Sequence, residues 1–382
     1  MQKTLVCAAL ATFAVVTAPA FADDPATPPQ GAAPADAKPA DAKPADAAPG
    51  DAKPADAAPG DVKPADAPDA KPDAVPKPPK PPPYSLPWQL RPVVVANVVR
   101  WDNSFARYED AAGHAGFTWV TILNAIVKIP GTGSAPGTGL GALLRLPIAY
   151  DSPPTGPNVG ASFANPVLAA LYGVKLPKPF KLNVSLAFTL PIGMGGGDTP
   201  DAGQKNARAK ALNARAQMDN SLFAVNDFAI IPGVDFAYVD HNLTVQVEAT
   251  LFQLLRVRGC SNPNATPAVC DQREEAKTNF TAGLHVGYFV LPQVSLGLDL
   301  RYQRWFNAPL AVENTRPTAA NGWATQSDAY DTLTFALGPR FHIPIGKTWL
   351  RPGFSYGRAL DKPMAASTPN YHLFQVDVPF IF

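Results

Sequence analysis

From about residue 88 onward the chain repeats one pattern, segments of roughly ten to fifteen residues in which apolar and polar positions alternate. A period of two predicts β-strands with one apolar and one polar face. In 293–305, Val294, Leu296, Leu298, Leu300 and Tyr302 fall on one face, and Ser295, Gly297, Asp299, Arg301 and Gln303 on the other. Leu182, Val184, Leu186, Phe188 and Leu190 oppose Asn183, Ser185, Ala187 and Thr189. Leu243, Val245, Val247, Ala249 and Leu251 oppose Thr244, Gln246, Glu248 and Thr250. Phe280, Ala282, Leu284, Val286 and Tyr288 likewise oppose Thr281, Gly283, His285 and Gly287. About twelve such segments begin near Leu90, Gly116, Gly139, Ser162, Lys181, Asp227, Asn242, Lys277, Gln293, Asp331, Lys347 and Asn370, and an even number suits a sheet closed on itself.

The connections alternate in length. Pro177 to Phe180, Val239 to Asn242, Leu291 to Gln293 and Pro344 to Thr348 are tight. Asp151 to Gly160, Gly193 to Leu222, Gly259 to Ala276, Asn307 to Ser327 and Leu360 to Pro369 are long, and Pro130 to Thr138 is the loosest of the short set. Short turns at one end and long loops at the other are the layout of bacterial outer-membrane barrels. The expected fold is therefore all-β, a transmembrane antiparallel up-and-down barrel of about twelve strands over 88–382, with both barrel ends on the periplasmic side.

Composition changes the picture at the N-terminus. Residues 1–22 combine Lys3, an apolar stretch from Leu5 to Val16 and Ala20-Phe21-Ala22, which predicts a secretory signal peptide that carries Cys7 away with it. From 23 to 87 the chain is Ala, Pro, Asp and Lys, with the decamer DAKPADAAPG at 41–50 repeated at 51–60. The 44 prolines exceed twice the usual share of about 5%. A segment this poor in aromatic and branched apolar residues cannot offset the entropy of ordering, so 23–87 is expected to be a disordered periplasmic spacer. Cys260 and Cys270 then remain in an exported chain and are expected to close a loop as a disulfide.

The last strand, Tyr371 to Phe382, places Phe374, Val376, Val378, Phe380 and Phe382 on one face and ends on an aromatic. It resembles the terminal strand by which the barrel-assembly machinery recognises outer-membrane proteins, which makes that machinery, outer-membrane lipid and lipopolysaccharide the expected partners. With apolar faces on lipid, Arg145, Asp235, Glu248, His285, Asp299, Arg301, Arg340, Arg351 and Asp377 line the lumen. Their mixed signs suit cross-lumen ion pairs, or a polar wall past which a small solute moves, rather than a filter of one charge. The 193–222 loop carries QKNARAKALNARAQM, a run of helix formers. It either folds into the mouth and constricts it, lies outside with Lys205, Arg208, Lys210 and Arg215 on lipopolysaccharide phosphates, or forms a solvated surface helix.

Catalytic and cofactor motifs are missing from the sequence. Gly160-Ala161-Ser162-Phe163-Ala164 fails the nucleophile-elbow pattern at its last position, no H-E-x-x-H occurs, and no Gly-rich phosphate loop follows a strand. Outer-membrane phospholipases and lipid A deacylases pair a strand histidine with a serine, which makes His285 the residue to watch; a satisfied lumen histidine is the expected reading. Neither enzyme activity nor a cofactor or metal is expected. A net charge of +1 argues against a nucleic-acid partner.

Two stretches, Gly160 to Lys175 (GASFANPVLAALYGVK) and Leu182 to Asp198 (LNVSLAFTLPIGMGGGD), resemble the MetA-pathway phenol-degradation family of outer-membrane barrels. The chain departs from it at Asn165, where the family carries Asp, and in its long Pro-rich arm. The resemblance implies uptake of small, often hydrophobic compounds and carries over no binding residues. The expected function is passive passage or uptake of a small, hydrophobic or aromatic solute. The alternative is a structural barrel anchored through its arm to peptidoglycan or another envelope partner.

Overall fold

In a computed structural model of the chain, the described residues are 84–110, 112–197, 201–259, 276–307, 331–361, 364 and 370–382. The signal peptide, the arm up to residue 83, and Cys260 and Cys270 lie outside them.

The strands are β1 (Val98–Glu109), β2 (Ala115–Lys128), β3 (Gly139–Ser152), β4 (Gly160–Phe163), β5 (Val167–Val174) and β6 (Phe180–Thr189). Two helices follow, α1 (Ala202–Ala214) and α2 (Asn220–Phe223). The remaining strands are β7 (Asp227–Asp240), β8 (Leu243–Arg256), β9 (Lys277–Leu291), β10 (Val294–Asn307), β11 (Asp331–Phe341), β12 (Ile343–Ile345), β13 (Thr348–Leu350), β14 (Gly353–Ala359) and β15 (His372–Ile381). Neighbours pair antiparallel all the way round, and β1 pairs with β15 from Val98↔Ile381 to Arg107↔His372, so the sheet has no free edge. Closure is what a bilayer demands, since no water is present there to satisfy an open strand edge.

The wall counts twelve strands because β4 with β5, β11 with β12, and β13 with β14 each form one interrupted strand. Prolines mark the interruptions. Between β4 and β5 lies Ala164-Asn165-Pro166, opposite Pro147 of β3, where the ladder survives only through acceptors: Ala164 N–H donates to Pro147 O (3.0 Å) and Leu190 N–H to Pro166 O (2.8 Å). Proline has no N–H to return.

The period-two reading holds residue by residue. Leu186, Val247, Leu296, Leu337 and Phe374 are exposed on the outer face, and Asn183, Thr244, His285, Asp299 and Asp377 are buried on the inner one. Phe374, Val376, Val378, Phe380 and Phe382 all take the outward register of β15. Outward aromatic pairs bridge adjacent strands, with ring centroids 5.6 Å apart for Phe180 and Phe236 and 5.3 Å for Tyr356 and Phe374.

One boundary differs from the sequence reading. The wall begins at Val98, not near Leu90, and residues 84–97 form neither helix nor strand. They turn inward, where Tyr84, Leu86, Trp88, Leu90, Val93 and Val95 are buried. Their apolar side chains are hidden from water by the barrel interior instead of by lipid.

Candidate functional site: two stoppers in the lumen

The first stopper is residues 84–97, which occupy the short-turn half of the barrel. The wall holds this segment chiefly by its main chain. Ser85 N–H donates to Thr244 Oγ1 (3.1 Å), Trp88 N–H to Asp299 Oδ2 (3.1 Å) and Arg91 N–H to Glu248 Oε2 (2.5 Å). In the other direction Arg340 donates from Nε to Leu86 O (3.0 Å) and Gln246 from Nε2 to Arg91 O (2.6 Å). Arg351 donates to Tyr84 O and Arg100 to Trp88 O. A guanidinium also stands over each aromatic ring of the segment, Arg340 at 5.8 Å from Trp88 and Arg351 at 5.6 Å from Tyr84.

Glycines at inward wall positions make room for it. A Cβ on Gly283 would stand 2.1 Å from Leu90 Cδ2, one on Gly297 2.8 Å from Trp88 Cη2, and one on Gly233 2.5 Å from an Arg91 guanidinium nitrogen. No side chain fits those positions while the segment is in place. Gly297→Val is therefore expected to push Trp88 out of its seat and to speed hydrogen exchange of the 84–96 amides by about tenfold or more, with wall-strand protection kept.

The second stopper comes from the long connection between β6 and β7 and fills the opposite half. Asp201 caps α1 by accepting from Gln204 N–H (2.9 Å), and Ala207, Ala211 and Ala214 bury one face of the helix. Gly203 packs on Gly160 of β4, so close that a Cβ on Gly160 would meet Gly203 at 2.4 Å. After α1 the chain reverses through Ala216 and Gln217, both at positive φ (51° and 57°), a conformation that costs a non-glycine residue of order 1 kcal/mol. Contacts on either side of the reversal hold it. Arg215, fully buried, reaches Asp102 (3.0 Å) and Asp219 (2.8 Å) and donates to Ser104 Oγ (2.8 Å). Asp219 also accepts from Arg145 (2.7 Å), and Asn220 donates to Asn279 on β9 (3.1 Å). Burial disfavours charge on both partners, yet Asp102 and Asp219 hold Arg215 above the usual guanidinium range. Arg145 and Arg215 likewise outweigh burial at Asp219 and keep its carboxyl well below the usual carboxylate range.

Between the stoppers lies a cavity of about 50 Å³ bounded by Gln89 to Pro92 on one side and by Met218 and Asp219 on the other. Its wall is half ionic, with Arg100, Asp102, Arg145 and Glu248, and half apolar, with Val98, Ile126, Leu143 and Leu171. It has room for about three or four waters.

All nine lumen candidates point inward, and the structure divides them. Glu248, His285, Asp299, Arg340 and Arg351 touch the first stopper, with Asp377 behind them accepting from Arg340 (2.9 Å) and Arg100 (2.7 Å). Arg145 serves the second. Arg301 joins Asp299 (3.1 Å) to Gln375 (2.8 Å), and Asp235 accepts from Asn183 (3.1 Å) beside Glu248 across the β7–β8 register. Sequence reasoning missed Arg100 and Asp102, because starting the first strand at Leu90 obscured the alternation of Val99 and Trp101 with them. It also gave Arg215 only lipopolysaccharide or solvent to face and did not name Asp219, since their contacts with the wall join residues more than seventy positions apart.

Of the readings open for the 193–222 loop, the structure has the one inside the mouth. Arg215 faces Asp102 rather than solvent, Lys210 Nζ sits 4.7 Å from the Tyr108 ring, and only Lys205 of the four basic residues is fully on the surface.

His285 has a serine neighbour. Asp299 Oδ1, His285 Nδ1 and Nε2, and Ser85 Oγ form a chain with spacings of 2.6 and 3.2 Å, the order of a hydrolase relay. It is sealed. Ser85 belongs to the first stopper, its Oγ also faces Ser295 Oγ (3.3 Å), and a single carbon added to Gly287 would already stand 2.4 Å from it. No acyl group reaches this oxygen while the segment is seated, and when the segment leaves, the serine leaves with it.

No family model matches the chain, and no curated protein matches it. Among solved structures, the COG4313 outer membrane channel from Pseudomonas putida F1 is similar over 77% of this chain and 98% of its own, at 13% identity and a TM-score of 0.51. The fold the two share is a closed antiparallel β-barrel. Two porins also align: KdgM, solved with disordered oligogalacturonate (10% identity, 75% of this chain and 99% of that one, TM-score 0.38), and NanC (7%, 74% and 100%, 0.41). Their scores add nothing to the fold argument. The barrel described here thus shares its wall with a channel, while the contents of its lumen are read from its own residues.

Proposed function

We propose that the chain is a bacterial outer-membrane channel for a small solute, closed at rest by its own two stoppers. The observation that carries this reading is that the lumen is filled by segments hydrogen-bonded into it through side chains, not by the wall. Apart from the single bridge between Val95 and Gly137, residues 84–97 add no strand to the sheet, so removing them leaves the wall ladder intact. A barrel meant only to be solid needs no such removable parts. The apolar half of the central cavity, together with the resemblance of 160–175 and 182–198 to the phenol-degradation barrels, favours a hydrophobic or aromatic solute. The terminal strand supports assembly by the barrel-assembly machinery, and the layout of short turns and long loops supports periplasmic chain ends with lipid and lipopolysaccharide outside.

The second reading, a sealed barrel anchored through the N-terminal arm to peptidoglycan, draws on the same filled lumen. Planar-bilayer recording of the full-length chain separates them. A channel shows rare, discrete open steps, shortened when a small aromatic solute is added; an anchor stays silent at every voltage, and remains silent when either stopper is loosened.

A further inference from the structure

The contacts around residues 84–97 are those of a receptor for a peptide. Eight main-chain groups between Tyr84 and Arg91 are paired with wall side chains: the N–H groups of Ser85, Trp88 and Arg91 and the carbonyls of Tyr84, Leu86, Pro87, Trp88 and Arg91. The six side chains that supply the contacts beyond Thr244 are all charged or amide groups buried on the inner wall: Arg100, Arg340, Arg351, Asp299, Glu248 and Gln246. By contrast, Trp88 Nε1 and both amide atoms of Gln89 find no partner among the described residues, although all three atoms are buried. The wall pairs with the peptide backbone, and of the side chains it also holds Arg91, which donates from Nη1 to Thr250 Oγ1 (2.6 Å), and Ser85, whose Oγ lies beside Ser295 and His285.

We infer that this half of the lumen is a peptide-binding site, which takes in trans a short coil-forming oligopeptide, with prolines and a central aromatic residue, whenever its resident segment withdraws. Main-chain hydrogen bonds to charged groups are the strong kind, and they do not depend on which protein the peptide comes from. The inward glycines at 233, 283 and 297 leave room for the side chains of Arg91, Leu90 and Trp88, and the Trp88 ring, between Arg340 and His285 (ring centroids 6.3 Å), supplies the anchor. This names a ligand for the emptied half of the lumen, beside the small solute of the channel, and rests on the proposal that the first stopper is displaceable.

The test uses the full-length chain carrying Trp88→Ala, which weakens the resident segment, and a fluorescent peptide with the sequence of residues 84–96, followed by anisotropy in detergent. The variant is expected to bind the peptide at least about tenfold more tightly than the unmodified chain, whose own tryptophan competes. Methylating the peptide nitrogens at the positions of Trp88 and Arg91 removes the donors to Asp299 and Glu248 and is expected to weaken binding about tenfold or more, whereas Gln89→Ala in the peptide leaves it unchanged. Heat-modifiable gel migration establishes that each barrel is folded. If Trp88→Ala raises channel opening yet binds no peptide, or binds the methylated peptide equally well, the inference is overturned and the channel reading stands. If neither opening nor binding appears, the displaceable stopper is wrong and the inference falls with it.

Discussion

Replacing Arg215 with Ala is expected to unseat the α1–α2 hairpin while the barrel stays closed around the first stopper. Arg215 has no exposure at all, and its guanidinium is shared between Asp102 on the wall and Asp219 on the hairpin. Truncation takes out of the buried cluster the cation that joins Asp102 to Asp219. Asp102 then retains only Arg100, at 3.9 Å, and Asp219 only Arg145. Breaking a buried pair by deleting one partner costs about 3–5 kcal/mol, because the remaining charge stays desolvated. The positive-φ reversal at Ala216 and Gln217 loses its neighbour at the same time, so two sources of strain favour release. Hydrogen exchange of residues 201–223 should accelerate by more than about hundredfold, while β9 and β10 amides, held by their own ladder, keep their protection. Arg215→Lys should fall between, since one ammonium cannot present a planar fork to Asp102 and reach Asp219 as well. Unchanged protection over 201–223 would remove the ion cluster from the account of how the hairpin is held.

The pH dependence of this closure follows from the same carboxylate. Asp219 has a folded-state pKa below its unfolded value of about 3.9, so its contribution is fully present above that value and is lost as pH falls through the folded one. Hairpin protection is therefore expected to be flat from pH 5 to 8 with respect to this group and to fail only in strong acid.

Much of the wall was legible because period-two alternation reports one physical fact, that each strand divides two environments. It reports nothing about which segments enter the enclosed space. Residues 90–97 are apolar too, and Leu90, Val93 and Val95 would suit a lipid-facing strand, yet they are buried against Gly283, Ala237 and Gly141 inside the barrel. A coil in a lumen and a strand in a wall both hide such residues, and only the closure of β1 on β15 from Val98 onward decides between them. The nine inward polar residues could be named from the strand faces, but their partners could not: Asp299 meets Trp88 and Arg340 meets Leu86 across more than two hundred residues of chain. The helix-forming run after Gln204 was visible, and its direction was not, because Ala207, Ala211 and Ala214 are small enough to lie against either solvent or wall.

Trp88→Ala and Arg215→Ala together decide whether the stoppers are gates or fixed fillings. They lie one behind the other along the barrel, with the small cavity between them, so a solute passes only when both are out of its way. A static, leaky filling behaves as two comparable resistances in series: relieving one leaves the other limiting, and conductance changes by only about twofold. Close-packed interiors do not leak in this way, and a seated segment is either in or out. Opening probability is then the product of two occupancies, and each substitution multiplies it independently until opening saturates. Losing a buried tryptophan costs about 3–5 kcal/mol and losing Arg215 a similar amount, so each single variant should raise open probability by about a hundredfold or more from a rarely open start. The unitary step should not change, since the open wall is the same in every variant. Single-channel recording reads the two quantities separately. Steps of constant amplitude with rising occupancy, highest in the double variant, are the result expected of a channel; folded double-variant barrels that never open would leave the anchored, solid barrel as the reading that survives.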